Sequence, residues 1–132
     1  MIAVIFEVQL AAGHEADYLA HAAHLRPLLE ADPGFLGVER FRGLTQPDKL
    51  LSLSFFADEA AVARWRALPQ HRHSQTEGRA GIFADYRLRV AAVQRDYGLT
   101  NRTEAPADSR NWHGPNVQAP LGKNEEIVKP GS

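Results

Sequence analysis

Two kinds of hydrophobic repeat alternate along this chain, and their order restricts the possible folds more than any other feature. Residues 2–10, IAVIFEVQL, place apolar side chains at every second position, as in a strand with one apolar face. A spacing of three and four residues follows over residues 14–31 and predicts a helix, which Pro27 is expected to kink or tighten. The pattern then continues as strand, strand, helix and strand, and ends near residue 97.

Turn signals separate the later elements, in particular DPG at residues 32–34 and TQPDK at residues 45–49. A strand is predicted on each side of the second turn, FLGVERF and LLSLSFF. Asp58 stands at the N-cap position of the next helix, EAAVARWRAL, and a shorter helical piece, QHRHSQTEGR, follows Pro69. In the last segment, IFADYRLRVAAVQRDY, apolar and charged side chains alternate, which predicts the final strand.

The order strand, helix, strand, strand, helix, strand is the split βαβ pattern of a ferredoxin-like α+β fold. Such a fold has an antiparallel sheet with both helices on one face. Its other face would carry Ile5, one phenylalanine of the pair at positions 55 and 56, and the charges Glu7, Arg87 and Arg89. This face is too apolar to be left in water. We therefore expect two copies to pack sheet against sheet, with Glu7 paired with Arg87 or Arg89 near the interface.

Composition excludes several classes of function. The chain has 132 residues, which suits one domain, and a net charge of −1, which gives no general attraction to nucleic acid or to an anionic membrane. It contains no cysteine, so disulfides, thiolate nucleophiles, zinc ribbons and iron–sulfur clusters are excluded. The first residues have no basic region and turn polar soon, so we expect neither a signal peptide nor a membrane span, and a cytoplasmic location.

The composition changes from about residue 99 onward. Residues 99–132 are rich in proline, glycine and asparagine and show no apolar periodicity, which is typical of an extended segment without its own core. We therefore predict a folded domain at residues 1–98 and an extended tail at residues 99–132. Trp112 is the candidate anchor of this tail, which we expect to pack on the partner subunit.

The segment ARWRALPQHRHSQTEGR, residues 63–79, combines a tryptophan, two histidines and four arginines. A nucleic-acid site is disfavoured, because the whole chain is slightly acidic and no nucleic-acid-binding module accompanies these arginines. A metal site is also disfavoured. His71 and His73 are two residues apart and would point to different sides of a helix, and no third ligand completes a set with them or with His21 and His24.

Two interpretations of this segment stay open. Trp65 could pack the second helix onto the sheet as an ordinary core residue. Alternatively, Trp65 and His71 form the wall of a small-molecule pocket whose floor is Phe6. Apolar lining with a few convergent polar groups is typical of such sites, and histidine can take or give a proton near neutral pH.

Four segments together resemble the antibiotic biosynthesis monooxygenase (ABM) domain family, of the dimeric α/β-barrel superfamily: PGFLGVERF, LLSLSFFADEAAVARWR, HRHSQTEGR and FADYRLRVAAVQRDYG. The resemblance covers residues 1–98. It implies a homodimer whose two sheets close into a barrel, with one pocket per subunit between sheet and helices. It also implies a monooxygenase, an oxidoreductase that oxidises small aromatic or polyketide-like molecules with O₂ and without metal, flavin or another cofactor.

On the matching positions, the resemblance implies that Trp65 orients substrate or oxygen and that His71 transfers a proton. The expected lining of the pocket is Phe6, Leu53, Phe55, Gln75 and Phe83. The haem-degrading branch of the superfamily uses an asparagine, a tryptophan and an axial histidine, and these positions fall here on Phe6, Trp65 and Gln75. Haem degradation is therefore disfavoured. The alternative function is a non-catalytic small-molecule-binding or stress-related homodimer, which Phe6 favours because it offers no polar group.

Overall fold

The structure is a computed structural model that describes residues 1–113. It divides into two compact units, Met1–Ala92 and a second one that begins at Val93. The strands of the first unit are β1 (Ile2–Leu10), β2 (Phe35–Arg42), β3 (Lys49–Phe56) and β4 (Phe83–Ala92). Its helices are α1 (Glu15–Glu30), α2 (Glu59–Ala67) and α3 (Pro69–Glu77), and a π-helical turn at Gly78–Ile82 joins α3 to β4.

The four strands form one antiparallel sheet in the order β2-β3-β1-β4. With helices packed on one face, this topology confirms the predicted ferredoxin-like α+β fold. The sheet is open at β2 and β4, so one chain does not close into a barrel. The last strand is shorter than predicted. It ends at Ala92 because that residue pairs with Ile2, the first residue of β1, and no neighbouring strand continues beyond it.

The ends of α2 and α3 follow directly from the local sequence. Asp58 is the predicted N-cap of α2, and its Oδ1 accepts a hydrogen bond of 2.8 Å from the Ala61 N–H. Leu68 separates the two helices in an extended conformation (φ −59°, ψ 128°), as expected for a residue that precedes a proline. Pro69 then occupies the first turn of α3, where its missing N–H leaves no helical hydrogen bond unmade.

The hydrophobic core consists of two clusters on the helical face of the sheet. One cluster is built on Val4, Phe56 and Val62, and Trp65 packs against it. The other is built on Val8, Leu10, Tyr18 and Leu50, and Phe6 and Phe83 pack against it.

The gap between the two clusters results from the β3 side chains that face the helices. Along this face β3 carries Leu50, Ser52, Ser54 and Phe56, so two small side chains lie between two large ones. The serines leave room between the two clusters.

The opposite face of the sheet corrects one prediction about the pocket. Leu53 pairs with Ile5 and Phe55 pairs with Ala3, so both side chains point away from the helices. The prediction that Leu53 and Phe55 line the pocket is therefore wrong, because neighbouring residues of a strand face opposite sides. On this face, Oε1 of Glu7 lies 3.5 Å from Nη1 of Arg89, within the same chain.

The described part of the second unit contains one helix, α4 (Ala107–His113). Trp112, the candidate anchor, lies on α4 and has 42% of its surface exposed. Residues 114–132 of the predicted tail lie outside the described residues, and the placement of the tail on a partner subunit stays a prediction. Over residues 1–113, every helix is too short or too polar to cross a membrane.

Candidate active site

A cavity of about 210 Å³ lies between the two core clusters, over the serines of β3. Its floor is the helical face of the sheet, and its walls come from α1, α2, α3 and the π-helical turn. This volume is below the roughly 300–1,000 Å³ that is common for sites of drug-sized ligands. The cavity therefore suits a small organic molecule.

One row of side chains crosses the cavity floor from strand to strand. Leu88 of β4 pairs with Phe6 of β1, Phe6 pairs with Ser52 of β3, and Ser52 pairs with Arg40 of β2. All four residues line the cavity. The floor thus changes from apolar at Leu88 and Phe6 to polar and cationic at Arg40.

Trp65 and His71 form one wall of the cavity, as the sequence predicts. Their rings are stacked, with centroids 4.1 Å apart and planes inclined by 33°. The indole also contacts Phe56 of the core, with ring centroids 5.5 Å apart. Trp65 is therefore both a core residue and a pocket residue, and the two interpretations drawn from the sequence do not exclude each other.

Two polar atoms in this wall are buried and have no hydrogen-bond partner in the described part of the chain, Nε1 of Trp65 and Nδ1 of His71. Burial of the imidazole lowers the pKa of His71 below its ordinary value, and the positive charge of Arg72 adds to this effect. The imidazole is therefore neutral near pH 7. A neutral ring nitrogen at an apolar cavity can accept a proton from a ligand.

Phe83 and Gln75, which the sequence also suggested as lining, both border the cavity. The Phe83 ring packs against the rings of Phe6 and Tyr18, with centroids 5.6 Å and 6.1 Å away. Gly78 allows this position, because a Cβ atom there would collide with the Phe83 ring. The structure thus brings five of the seven predicted site residues to one cavity. The two exceptions are Leu53 and Phe55.

A chain of polar contacts connects α1 to α3 beside the cavity. Nδ1 of His21 lies 3.1 Å from Oγ of Ser74, and Nε2 of His21 lies 2.8 Å from Oε2 of Glu77. His21 and Ser74 both line the cavity, whereas Glu77 is exposed. These contacts fix the orientation of His21 and hold the two helices together at the cavity wall.

Arg40 is a site residue that the sequence analysis missed. Its Nε is buried without a hydrogen-bond partner among residues 1–113, and its guanidinium carbon lies 5.9 Å from the ring centre of Tyr18. The available signal was the alternation of β2, which places Arg40 on the same face as Val38. Without the register between β2 and β3, nothing in the sequence showed that this face points inward.

The described residues contain no group of three or more histidine, aspartate or glutamate side chains that could hold a metal ion. His71 and His73 illustrate the reason. His71 is buried in the cavity wall, whereas the side chain of His73 is 68% exposed and pairs with Glu77 at 3.1 Å.

Sequence comparison relates this chain to a known family. Residues 1–77 match the antibiotic biosynthesis monooxygenase family. Jasmonate monooxygenase ABM of Pyricularia oryzae is 42% identical over 93 residues, which cover 70% of this chain and 43% of that protein. YqjZ of Bacillus subtilis is 30% identical over 93 residues, which cover 70% of this chain and 79% of that protein. The match therefore spans less than half the length of the Pyricularia protein.

Solved structures show the same fold at lower identity. A protein from Deinococcus radiodurans superposes with a TM-score of 0.67 at 16% identity, over 76% of this chain and 99% of that chain. SnoaB, a cofactor-independent oxygenase from Streptomyces nogalater, superposes with a TM-score of 0.63 at 15% identity, over 72% of this chain and 94% of that chain. Since the family match covers more than half of the sequence, this chain belongs to the antibiotic biosynthesis monooxygenase family.

Proposed function

We propose that this protein is a monooxygenase that oxidises a small, largely apolar substrate with O₂ in the cavity beside Trp65 and His71, without a bound cofactor. One observation carries the proposal. Nε1 of Trp65 and Nδ1 of His71 are buried at an apolar cavity with no hydrogen-bond partner among residues 1–113. A buried polar atom without a partner costs on the order of 1–3 kcal/mol, and a bound substrate with an oxygen function would remove this cost.

The chemistry needs a substrate with an activated methylene group, next to a carbonyl or between aromatic rings. The neutral imidazole of His71 takes one proton from this carbon. The resulting carbanion, R₂CH⁻, transfers electrons to O₂ and forms a C–O bond, and the proton returns to give the hydroperoxide R₂CH–OOH. Loss of water then leaves a ketone, R₂C=O. The sum, R₂CH₂ + O₂ → R₂C=O + H₂O, takes all of its electrons from the substrate and needs no external reductant.

The cavity favours this route in two ways. Its largely apolar lining around Phe6 and Trp65 strengthens electrostatic interactions with a developing anion. The indole N–H of Trp65 is a donor that can stabilise negative charge on the substrate or on reduced oxygen. Because the donor is held by packing against Phe56 and His71, it needs no reorganisation during the reaction.

The names of two relatives support the proposal. The Pyricularia relative is named for jasmonate, a small cyclic ketone that carries a carboxylate. The Streptomyces structure is that of a cofactor-independent oxygenase. The name of the Pyricularia relative agrees with a small alicyclic ketone in a cavity of about 210 Å³, and that of the Streptomyces protein agrees with oxidation without a cofactor.

The proposed functional unit is a homodimer. The face of the sheet that the helices do not cover carries a patch of apolar side chains that are at most half-exposed: Ala3, Ile5, Leu51, Leu53 and Phe55. A second copy of the same sheet would bury this patch, and the proposed pocket would remain on the other face of each sheet.

Oxygen uptake tests the proposed activity. The purified protein is supplied with a panel of anthrones and small cyclic ketones, which carry activated methylene groups, in an oxygen-electrode cell, with the His71→Ala variant in parallel. We expect substrate-dependent O₂ consumption that His71→Ala lowers by about 10²- to 10⁴-fold. No consumption with any substrate, or consumption that His71→Ala leaves unchanged, would overturn the proposal.

The second candidate is a non-catalytic homodimer that binds the same class of small molecule. Substrate turnover distinguishes it from the monooxygenase. Phe6 favours it, because the central position of the cavity floor offers no polar group to the reacting atoms. In that case the panel would bind, as seen by quenching of tryptophan fluorescence, and would be recovered unchanged.

A further inference from the structure

The floor of the cavity has a polarity gradient along one row of side chains. Leu88 and Phe6 form the apolar end of the row, and Ser52 and Arg40 form the polar end. Neighbouring strands are about 4.8 Å apart, so the four positions span roughly 14 Å. A ligand that matched this floor would be apolar at one end and polar at the other.

Arg40 is available for such a ligand. No carboxylate within residues 1–113 forms an ion pair with it, and its buried Nε has no hydrogen-bond partner there. Arg42, the next residue on the same face of β2, is different. Its Nη1 lies 2.8 Å from Oε1 of Glu15 and also donates to the carbonyl oxygen of Pro47. Of these two arginines on one face of β2, only Arg42 forms an ion pair within the described residues.

The ring of Tyr18 holds the Arg40 guanidinium in this position. The guanidinium carbon lies 5.9 Å from the ring centre, and Tyr18 itself is buried in the core. Arginine stays protonated at any physiological pH, so an uncompensated positive charge is fixed at one end of an apolar cavity. A bound anion would supply the hydrogen-bond partner that the buried Nε lacks.

We infer that Arg40 binds the carboxylate of the substrate, and that the protein acts on small amphipathic monocarboxylic acids. The planar guanidinium matches a carboxylate, with which it can form two parallel hydrogen bonds. The carboxylate lies at the Arg40 end of the floor, and the apolar body of the ligand extends over Phe6 towards Leu88. This inference rests on the proposed function, because it names the substrate class of the same cavity.

Paired acids and esters test the inference. Small alicyclic and aromatic carboxylic acids, jasmonic acid among them, are titrated into the full-length protein by calorimetry, and each is compared with its methyl ester. The ester keeps the shape of the acid and removes its charge. We expect the wild-type protein to bind the best acid about tenfold or more tightly than its ester.

Three variants assign the effect to one residue. Arg40→Met is expected to lower the affinity for the acid about tenfold and to leave the affinity for the ester within twofold. Arg40→Lys keeps the positive charge but loses the planar guanidinium, so it should retain part of the preference for the acid over its methyl ester. This variant reports on the site if Arg40→Met fails to fold. Arg66→Met is the matched control, because it removes an exposed arginine of α2 and should change neither affinity.

The inference is overturned if no acid binds better than its ester, if Arg40→Met weakens acid and ester equally, or if Arg66→Met has the same effect as Arg40→Met. Oxygen uptake separates this failure from failure of the proposed function. A protein that consumes O₂ with acids and esters alike keeps the monooxygenase proposal and loses the carboxylate site. A protein that prefers acids but consumes no O₂ keeps the carboxylate site and loses the proposed activity.

Discussion

The imidazole of His71 is stacked on the indole of Trp65, with ring centroids 4.1 Å apart, at the wall of an apolar cavity. This contact buries His71 and removes most of its solvation. The pKa of His71 is therefore lowered from the ordinary value of 6.5, first by desolvation and then by the charge of Arg72.

The lowered pKa of His71 predicts the pH dependence of catalysis. Only the neutral imidazole accepts a proton, so kcat/KM should rise with pH through a pKa below 6.5 and stay level above 6.5. Initial rates of oxygen uptake as a function of pH measure this profile. His71→Ala should abolish the acidic limb, and His73→Ala, which changes an exposed neighbour, should leave it in place. An unchanged limb in His71→Ala would contradict the assignment.

Ser54→Leu should fill the cavity. Ser54 lies on the inward face of β3 between the two core clusters, so a leucine there would occupy the space of the ligand. We expect loss of ligand binding and a free energy of unfolding that rises by about 0.5–2 kcal/mol, as for other cavity-filling substitutions. Calorimetric titration and urea unfolding measure the two effects. Leu53→Met, on the opposite face, serves as the control, and equal affinities of wild type and Ser54→Leu would place the site elsewhere.

Leu53→Glu tests the proposed homodimer. Its side chain belongs to the apolar patch on the open face of the sheet, opposite the cavity. A charge at the centre of a sheet-to-sheet interface would lose its hydration and would cost several kcal/mol. Light scattering at micromolar concentration should give a dimer for wild type and a monomer for Leu53→Glu. Thr76→Glu, at an exposed position of α3, should remain dimeric, and a monomeric wild-type protein would refute this assembly.

Asp32 should make the fold sensitive to acid. Arg64 donates from Nε and Nη2 to its two carboxylate oxygens at 2.7 Å and 3.0 Å, and the Gly34 N–H donates to Oδ1 at 2.8 Å. The Arg64 hydrogen bonds and then that of Gly34 lower the pKa of Asp32 from 3.8 to about 2. Since the folded state lowers this pKa, the contribution of the carboxylate is complete above 3.8 and is lost as the pH falls towards 2.

Urea unfolding as a function of pH measures whether the stabilising contribution of Asp32 is lost as the pH falls. Asp32→Asn should be less stable than wild type near neutral pH, and the difference should close between pH 3.8 and about 2. Asp85→Asn removes another exposed carboxylate, one without an ion pair in the described structure, and should show no such convergence. A difference between Asp32→Asn and wild type that persisted below pH 2 would mean that the ion pair is not its cause.

The sequence was sufficient to predict the fold because its periodicities are strong and its turns are well marked. The alternation of β1 predicted the inward positions of Val4 and Phe6, and Asp58 predicted the start of α2. The end of β4 was not predictable in the same way. The predicted strand segment extends to Tyr97, but the strand ends at Ala92, because that residue pairs with Ile2 at the start of β1.

The sequence could not predict those site residues whose position depends on the register between strands. Trp65 and His71 stood out by residue type and by the resemblance to a family, and both lie at the cavity. Leu53 and Phe55 were assigned to the wrong face because LLSLSFF carries apolar residues on both faces of β3. Arg40 was missed for the same reason, since its inward position depends on its pairing with Ser52.

Labelled oxygen tests the central claim, that the cavity beside Trp65 and His71 is the place of oxidation. The protein turns over its best substrate under ¹⁸O₂, and mass spectrometry follows the product, with Ser54→Leu as the parallel sample. We expect one labelled oxygen atom per product molecule for the wild-type protein and almost no product for Ser54→Leu. A product without the label, or the same labelled yield from Ser54→Leu, would contradict this claim.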